Sequence, residues 1–121
     1  MITYPRDGAS IDTPVEVKGT SACVPSDSKA WIFVKGPDGL YHPQRLPVLM
    51  LPGNRWTADA FVGLQSDHRV RFEVSVWLAG ETGNTGLYRY VTKASADGNW
   101  YGLRNAPKDS RMYDSVEVTR K

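Results

Sequence analysis

The chain predicts an all-β fold, an antiparallel two-layered sandwich of about seven strands, and three features of its 121 residues carry that prediction. Arg69-Val70-Arg71-Phe72-Glu73-Val74-Ser75-Val76-Trp77-Leu78 alternates polar and apolar almost without a break, the period of a half-buried strand. Ala30-Trp31-Ile32-Phe33-Val34-Lys35 is a nearly continuous β-branched and aromatic run, as expected of a central strand. The 11 Gly and 8 Pro are spread along the chain. Turn signals therefore recur about every 8–12 residues, the spacing of sandwich strands.

The elements follow in order. Val15-Glu16-Val17-Lys18, between Pro14 and Gly19, is a half-buried strand. Gly36 stops the Ala30–Lys35 run, and Pro37-Asp38-Gly39 reverses the chain, with Pro presetting φ and Gly accepting φ > 0. Leu40-Tyr41-His42-Pro43-Gln44 returns as a hairpin arm. Pro43 cannot donate to a ladder, so this arm is expected at a sheet edge. Residues 46–53 hold two prolines in apolar company and are expected to connect strands with one side packed inward. Residues 55–62 form the next strand, with Trp56, Ala58 and Ala60 on one face. In the long alternating strand, Val70, Phe72, Val74 and Val76 face the core, while Arg69, Arg71, Glu73 and Ser75 face away.

Gly80 to Gly86 reads as a loop. Leu87 to Ala96 fits two templates. Leu87, Val91 and Ala94 have helical spacing, whereas Tyr88, Tyr90 and Thr92 suit a strand; the balance leans to a short helix. Asp97-Gly98-Asn99 is a turn, and Tyr113 to Thr119 closes the chain as a last alternating strand.

Composition narrows the function classes. Residues 1–60 carry six basic and six acidic side chains, and residues 61–121 carry nine and seven. The net charge of +2 is therefore slight and dispersed, unlike the clustered Lys and Arg of a dedicated nucleic-acid binder. His68-Arg69-Val70-Arg71 is the nearest thing to a basic patch and reads as the solvent face of a strand. A single cysteine, Cys23, excludes an intrachain disulfide. With only His42 and His68 beside it, a zinc site would need carboxylates. Cys23 reads as a small buried apolar residue. No secretory h-region opens the chain and no run of about 18 apolar residues occurs. No membrane insertion is expected, and a cytoplasmic location is slightly favoured.

Catalytic patterns are thin. Ser66-Asp67-His68 are adjacent on a turn and cannot point at one another as a triad must. The glycines of residues 80–86 lack a P-loop Lys, and Asp97-Gly98-Asn99 lacks the later Glu of a calcium loop. The expectation is a non-enzymatic chain with no cofactor and no metal.

The aromatic residues are the more informative set. Trp31 and Trp56 sit in strands and read as core anchors. Trp77 points away from the apolar face, either under the 80–96 segment or outward. Trp100-Tyr101 in a loop, with Tyr41 and His42 on the edge arm, are the candidate partner-binding residues. Rigid aromatic side chains with a polar tip suit protein or sugar contacts.

The order of motifs resembles a bacterial immunoglobulin-like module. Tyr4-Pro5-Arg6-Asp7-Gly8-Ala9-Ser10-Ile11 followed by Val15-Glu16-Val17-Lys18-Gly19-Thr20 is similar to that family's opening strands. The Trp31-to-Gln44 hairpin, Gly53-Asn54-Arg55-Trp56, Phe61-Val62-Gly63 and Phe72-Glu73-Val74 continue in family order. Asp114-Ser115-Val116-Glu117-Val118-Thr119-Arg120 resembles its closing strand. The resemblance spans nearly the whole chain, as one domain over residues 1–121. It implies an accessory module of a multidomain bacterial protein, some of them signalling or defence proteins, and it favours a helix in residues 82–96. It supplies no catalytic residues.

The expected function is a binding or scaffolding module for a protein partner, which could be the rest of a larger chain, with no specific nucleic acid. The alternatives are a structural or decoration subunit of a surface or virus-like assembly, touching through its edge strands and the apolar 46–52 stretch, and a carbohydrate-binding sandwich.

Overall fold

A computed structural model describes residues 1–21, 24–45, 47–64 and 66–121. Alternation dictates its architecture. In β3 (Val15–Thr20), Val15, Val17 and Gly19 turn inward while Glu16, Lys18 and Thr20 stay exposed. β7 (Arg55–Ala60) pairs with it antiparallel, Val17 opposite Ala58 and Gly19 opposite Trp56. The Trp56 ring occupies the space a side chain at Gly19 would need, so this glycine permits the close approach. β1 (Ile2–Tyr4) adds to the free side of β3, and β6 (Leu49–Leu51) to that of β7, giving a four-stranded sheet β1-β3-β7-β6.

The second sheet has the order β2-β9-β8-β4-β5. Its strands are β2 (Ala9–Ile11), β4 (Lys29–Lys35), β5 (Tyr41–Pro43), β8 (Arg71–Ala79) and β9 (Ser110–Arg120). The inner faces of both sheets share one apolar cluster. Val15, Val17, Trp56 and Ala60 come from the first sheet; Ile32, Val34, Phe72, Val74, Val76, Val116 and Val118 come from the second. The predicted core face of residues 70–76 is thus the one that packs.

Four features differ from the sequence expectation. The sheets are not purely antiparallel: β2 runs parallel to β9, Ala9 beside Val118 and Ile11 beside Arg120. The chain leaves the first sheet after β1, crosses over, and enters beside β9 in the same direction. The Glu117 amide donates to the Asp7 carboxylate at 2.8 Å and the Gly8 amide to the Glu117 carbonyl at 2.7 Å, which pins that crossing. The apolar 46–53 stretch is not only a connector, because Leu49–Leu51 form the edge strand β6.

The outer face of the second sheet is also not a solvent face. Trp31, Phe33, Ala79 and Leu87 form a second buried cluster there, with Tyr41, Trp77, Val91 and Leu103 packed around it. Ser75, expected outward and wet, is 1% exposed beneath it. The all-apolar sequence of β4 follows: Ile32 and Val34 serve the inter-sheet core, Trp31 and Phe33 the outer cluster.

Last, the helix between the final two strands, α1, runs Glu81–Asp97 and takes in the glycines expected to form a loop. Gly80 offers no side-chain cap, but Asp109 reaches over from the start of β9. Its carboxylate accepts the Thr82 and Gly83 amides at 3.0 and 3.3 Å, satisfying free donors and placing negative charge at the helix N-terminus. Leu87 and Ala94, two of the three positions with helical spacing, are buried; Val91 is half-buried. Gly98, left-handed at φ 74°, closes the helix by donating to the Ala94 carbonyl. Among the described residues no helix is long and apolar enough to cross a membrane.

Candidate partner surface

The Asp38 turn orders one side of the candidate surface. The Gly39 amide closes the turn on the Gly36 carbonyl at 3.0 Å, and the Asp38 carboxylate accepts the Leu40 amide at 3.0 Å. Its other oxygen sits 2.9 Å from His42 Nε2. Burial raises the Asp38 carboxyl pKa, but the Leu40 amide and His42 outweigh it, leaving the net value below the ordinary one.

Tyr41 is held rather than presented. Its ring meets Trp77 edge-on at 5.7 Å and Phe33 at 6.1 Å, while Lys35 Nζ lies 4.9 Å from its centroid. Trp77 stacks on Phe33 at 5.4 Å and donates its indole N–H to the Ser75 hydroxyl at 2.8 Å. Trp31 donates its own to the buried Asn84 side chain at 2.8 Å. These indoles are thus structural, and Trp77 packs within the outer cluster beside the 80–96 segment.

The loop after α1 brings the other two candidates to the same edge. Tyr41 and Leu103 exchange both backbone hydrogen bonds, at 2.8 and 2.7 Å, so this loop covers the open side of β5. A side chain at Gly102 would run into the Leu40 Cβ and the His42 ring, so a glycine is required for the approach. Trp100 is 36% exposed and rests edge-on against Tyr90 at 6.3 Å, with the Arg45 guanidinium 5.7 Å from its centroid. The Tyr90 hydroxyl donates to the Tyr101 carbonyl, and burial raises the Tyr90 pKa. Tyr101 itself is 72% exposed.

All four predicted residues therefore gather at one edge of the second sheet. Trp100 and Tyr101 face solvent; Tyr41 and His42 are half-buried supports. Arg45 and Tyr90 belong to the same patch, and nothing local in the sequence links either of them to Trp100.

The other candidates stay apart. The Asp67 carboxylate accepts the Leu64 amide at 2.6 Å, while His68 Nδ1 lies 2.9 Å from the Lys121 carbonyl, so the Asp67 and His68 side chains have separate partners. Cys23 lies outside the described residues. Among those described, no cluster of three or more His, Cys, Asp or Glu could hold a metal. A scan against protein-family models and a search of curated proteins found no match to the chain.

Proposed function

We propose that the chain is an immunoglobulin-like module that acts by holding a protein partner, without catalysis, through the surface around Trp100 and Tyr101. The fold reading is supported by connectivity. β1 and β2 divide the opening segment between two sheets, β3 pairs with β7, and β8 lies between β4 and β9. A role as an accessory domain of a bacterial signalling or defence protein rests on the motif resemblance alone.

One observation carries the binding reading. Two aromatic side chains stand in solvent on a segment locked by the Leu103–Tyr41 pairing, the Tyr90 hydroxyl and the Arg45 cation. Rigid exposed aromatics lose little entropy on binding and are typical interface anchors. Affinity capture from a lysate of the source organism, comparing wild type with a Trp100→Ala, Tyr101→Ala double variant, tests this. A partner retained by the wild type should bind the variant at least about 30-fold more weakly, the scale of one strong anchor. Equal recovery refutes the assignment.

A self-assembling structural subunit is the second reading. Leu49 at 62% and Met50 at 46% exposure lie on the edge strand β6, apolar groups beside unpaired backbone. Light scattering decides it: concentration-dependent oligomers abolished by Leu49→Lys favour assembly, and a monomer at high concentration removes it.

A further inference from the structure

At one end of the molecule β3 and β8 finish while β4 and β7 begin, and the two sheets part there. The opening is a cleft of about 260 Å³. Trp56, 2% exposed, forms its floor by leaning onto Gly19; Val76, Leu78 and Ala30 form the wall from the second sheet; Met50 of β6 stands at the rim. None of the Asp, Glu, Lys, Arg or His side chains among the described residues lines it. Ser21 does, and its hydroxyl is buried with no hydrogen-bond partner among the described residues.

We propose that this cleft binds a small, uncharged, mostly apolar molecule of about two fused rings carrying one hydroxyl or carbonyl group. Size, charge and polarity each follow from the lining. A dry apolar cavity of about 150 Å³ holds benzene, so this larger one accommodates a bicycle. The one ionised group at the wall, the Met1 ammonium, is taken up by the Thr20 carbonyl at 2.6 Å, and no charged side chain among the described residues lines the cleft, so the desolvation of a charged ligand would find no side-chain counterion. An orphaned buried hydroxyl is costly, and a ligand polar atom beside Ser21 Oγ removes that cost. The lining includes neither Trp100 nor Tyr101, and the proposal does not rest on the partner proposed for them.

Titration with 1-naphthol and naphthalene, followed by amide NMR, tests the site. Saturable shifts centred on Trp56 and Val76 are expected, with a 1-naphthol dissociation constant below about 1 mM. Ala30→Leu fills the cleft and should weaken both probes at least about tenfold. Ser21→Ala should weaken 1-naphthol about fivefold and leave naphthalene unchanged, the signature of one hydrogen bond. If Ala30→Leu does not fold, Leu78→Phe closes the cleft from β8. Absence of saturable binding, as when the cleft instead takes a partner's side chain, overturns the proposal. So does a filled variant that binds like wild type, or a Ser21→Ala effect equal for both probes.

Discussion

Leu87→Ala tests whether α1 is an integral part of the second core or a loosely attached cover. Leu87 is 1% exposed and packs in the cluster of Trp31, Phe33 and Ala79. The substitution removes three carbons, about 2.4 kcal/mol of transfer free energy at about 0.8 kcal/mol per buried group. The cavity left beside two rigid aromatic rings raises the cost to about 3–5 kcal/mol. The buried apolar side chains of the helix are Leu87 and Ala94, and Leu87 lies in this cluster on the outer face of the second sheet, so the loss concentrates there. Amide exchange should speed most in residues 81–97 and 99–106, and least in β3 and β7, which belong to the inter-sheet core. Because Tyr90 on α1 supports Trp100 and the Tyr101 carbonyl, the aromatic patch should loosen as well. Urea unfolding gives the magnitude, with exposed Ser95→Ala as a control expected within about 0.5 kcal/mol of wild type. A Leu87→Ala cost under about 1 kcal/mol, or uniform acceleration of exchange across the chain, refutes the two-core account.

Asp109→Ala removes the acceptor for the Thr82 and Gly83 amides and should cost about 1 kcal/mol by urea unfolding; Asp109→Asn should recover part of it, having kept an acceptor without the charge. Arg120 is 4% exposed, donates to the Ile11 and Leu64 carbonyls at 3.4 and 3.2 Å, and has no carboxylate partner among the described residues. Arg120→Ala leaves both carbonyls and a void and should cost about 2–3 kcal/mol, whereas Arg120→Met, which keeps the volume and removes a buried charge, should cost less than half of that in the same assay. The Asp38 carboxyl has a folded pKa below its unfolded one, so its contribution to the hairpin is complete at neutral pH and fades as pH falls below about 4. Thermal melts between about pH 6 and 3 should show a smaller acid-induced drop in Asp38→Asn than in wild type; equal drops remove Asp38 from the account.

Much of the fold was legible because strand burial is a local code. Val70 to Val76 alternate, and no arrangement of a pleated strand separates those side chains between faces. The β4 run, the Gly39 turn and the Gly98 stop were equally local. The candidate patch was half legible: loop aromatics at Trp100 and Tyr101 announced themselves, while Arg45 and Tyr90 did not.

Residues 1–121 alone thus carried the alternation that makes two apolar sheet faces, the turn positions between strands and the aromatic side chains free of a strand core. The tertiary structure decided where the helix begins, because the cap comes from Asp109 in a distant segment. It also decided that Ser75 is dry, because α1 and the following loop roof the sheet, and that β2 runs parallel to β9, because the chain must cross between layers. Propensity and period act over a few neighbours, whereas a cap, a roof and a crossing each require two segments that only folding brings within hydrogen-bond or packing distance.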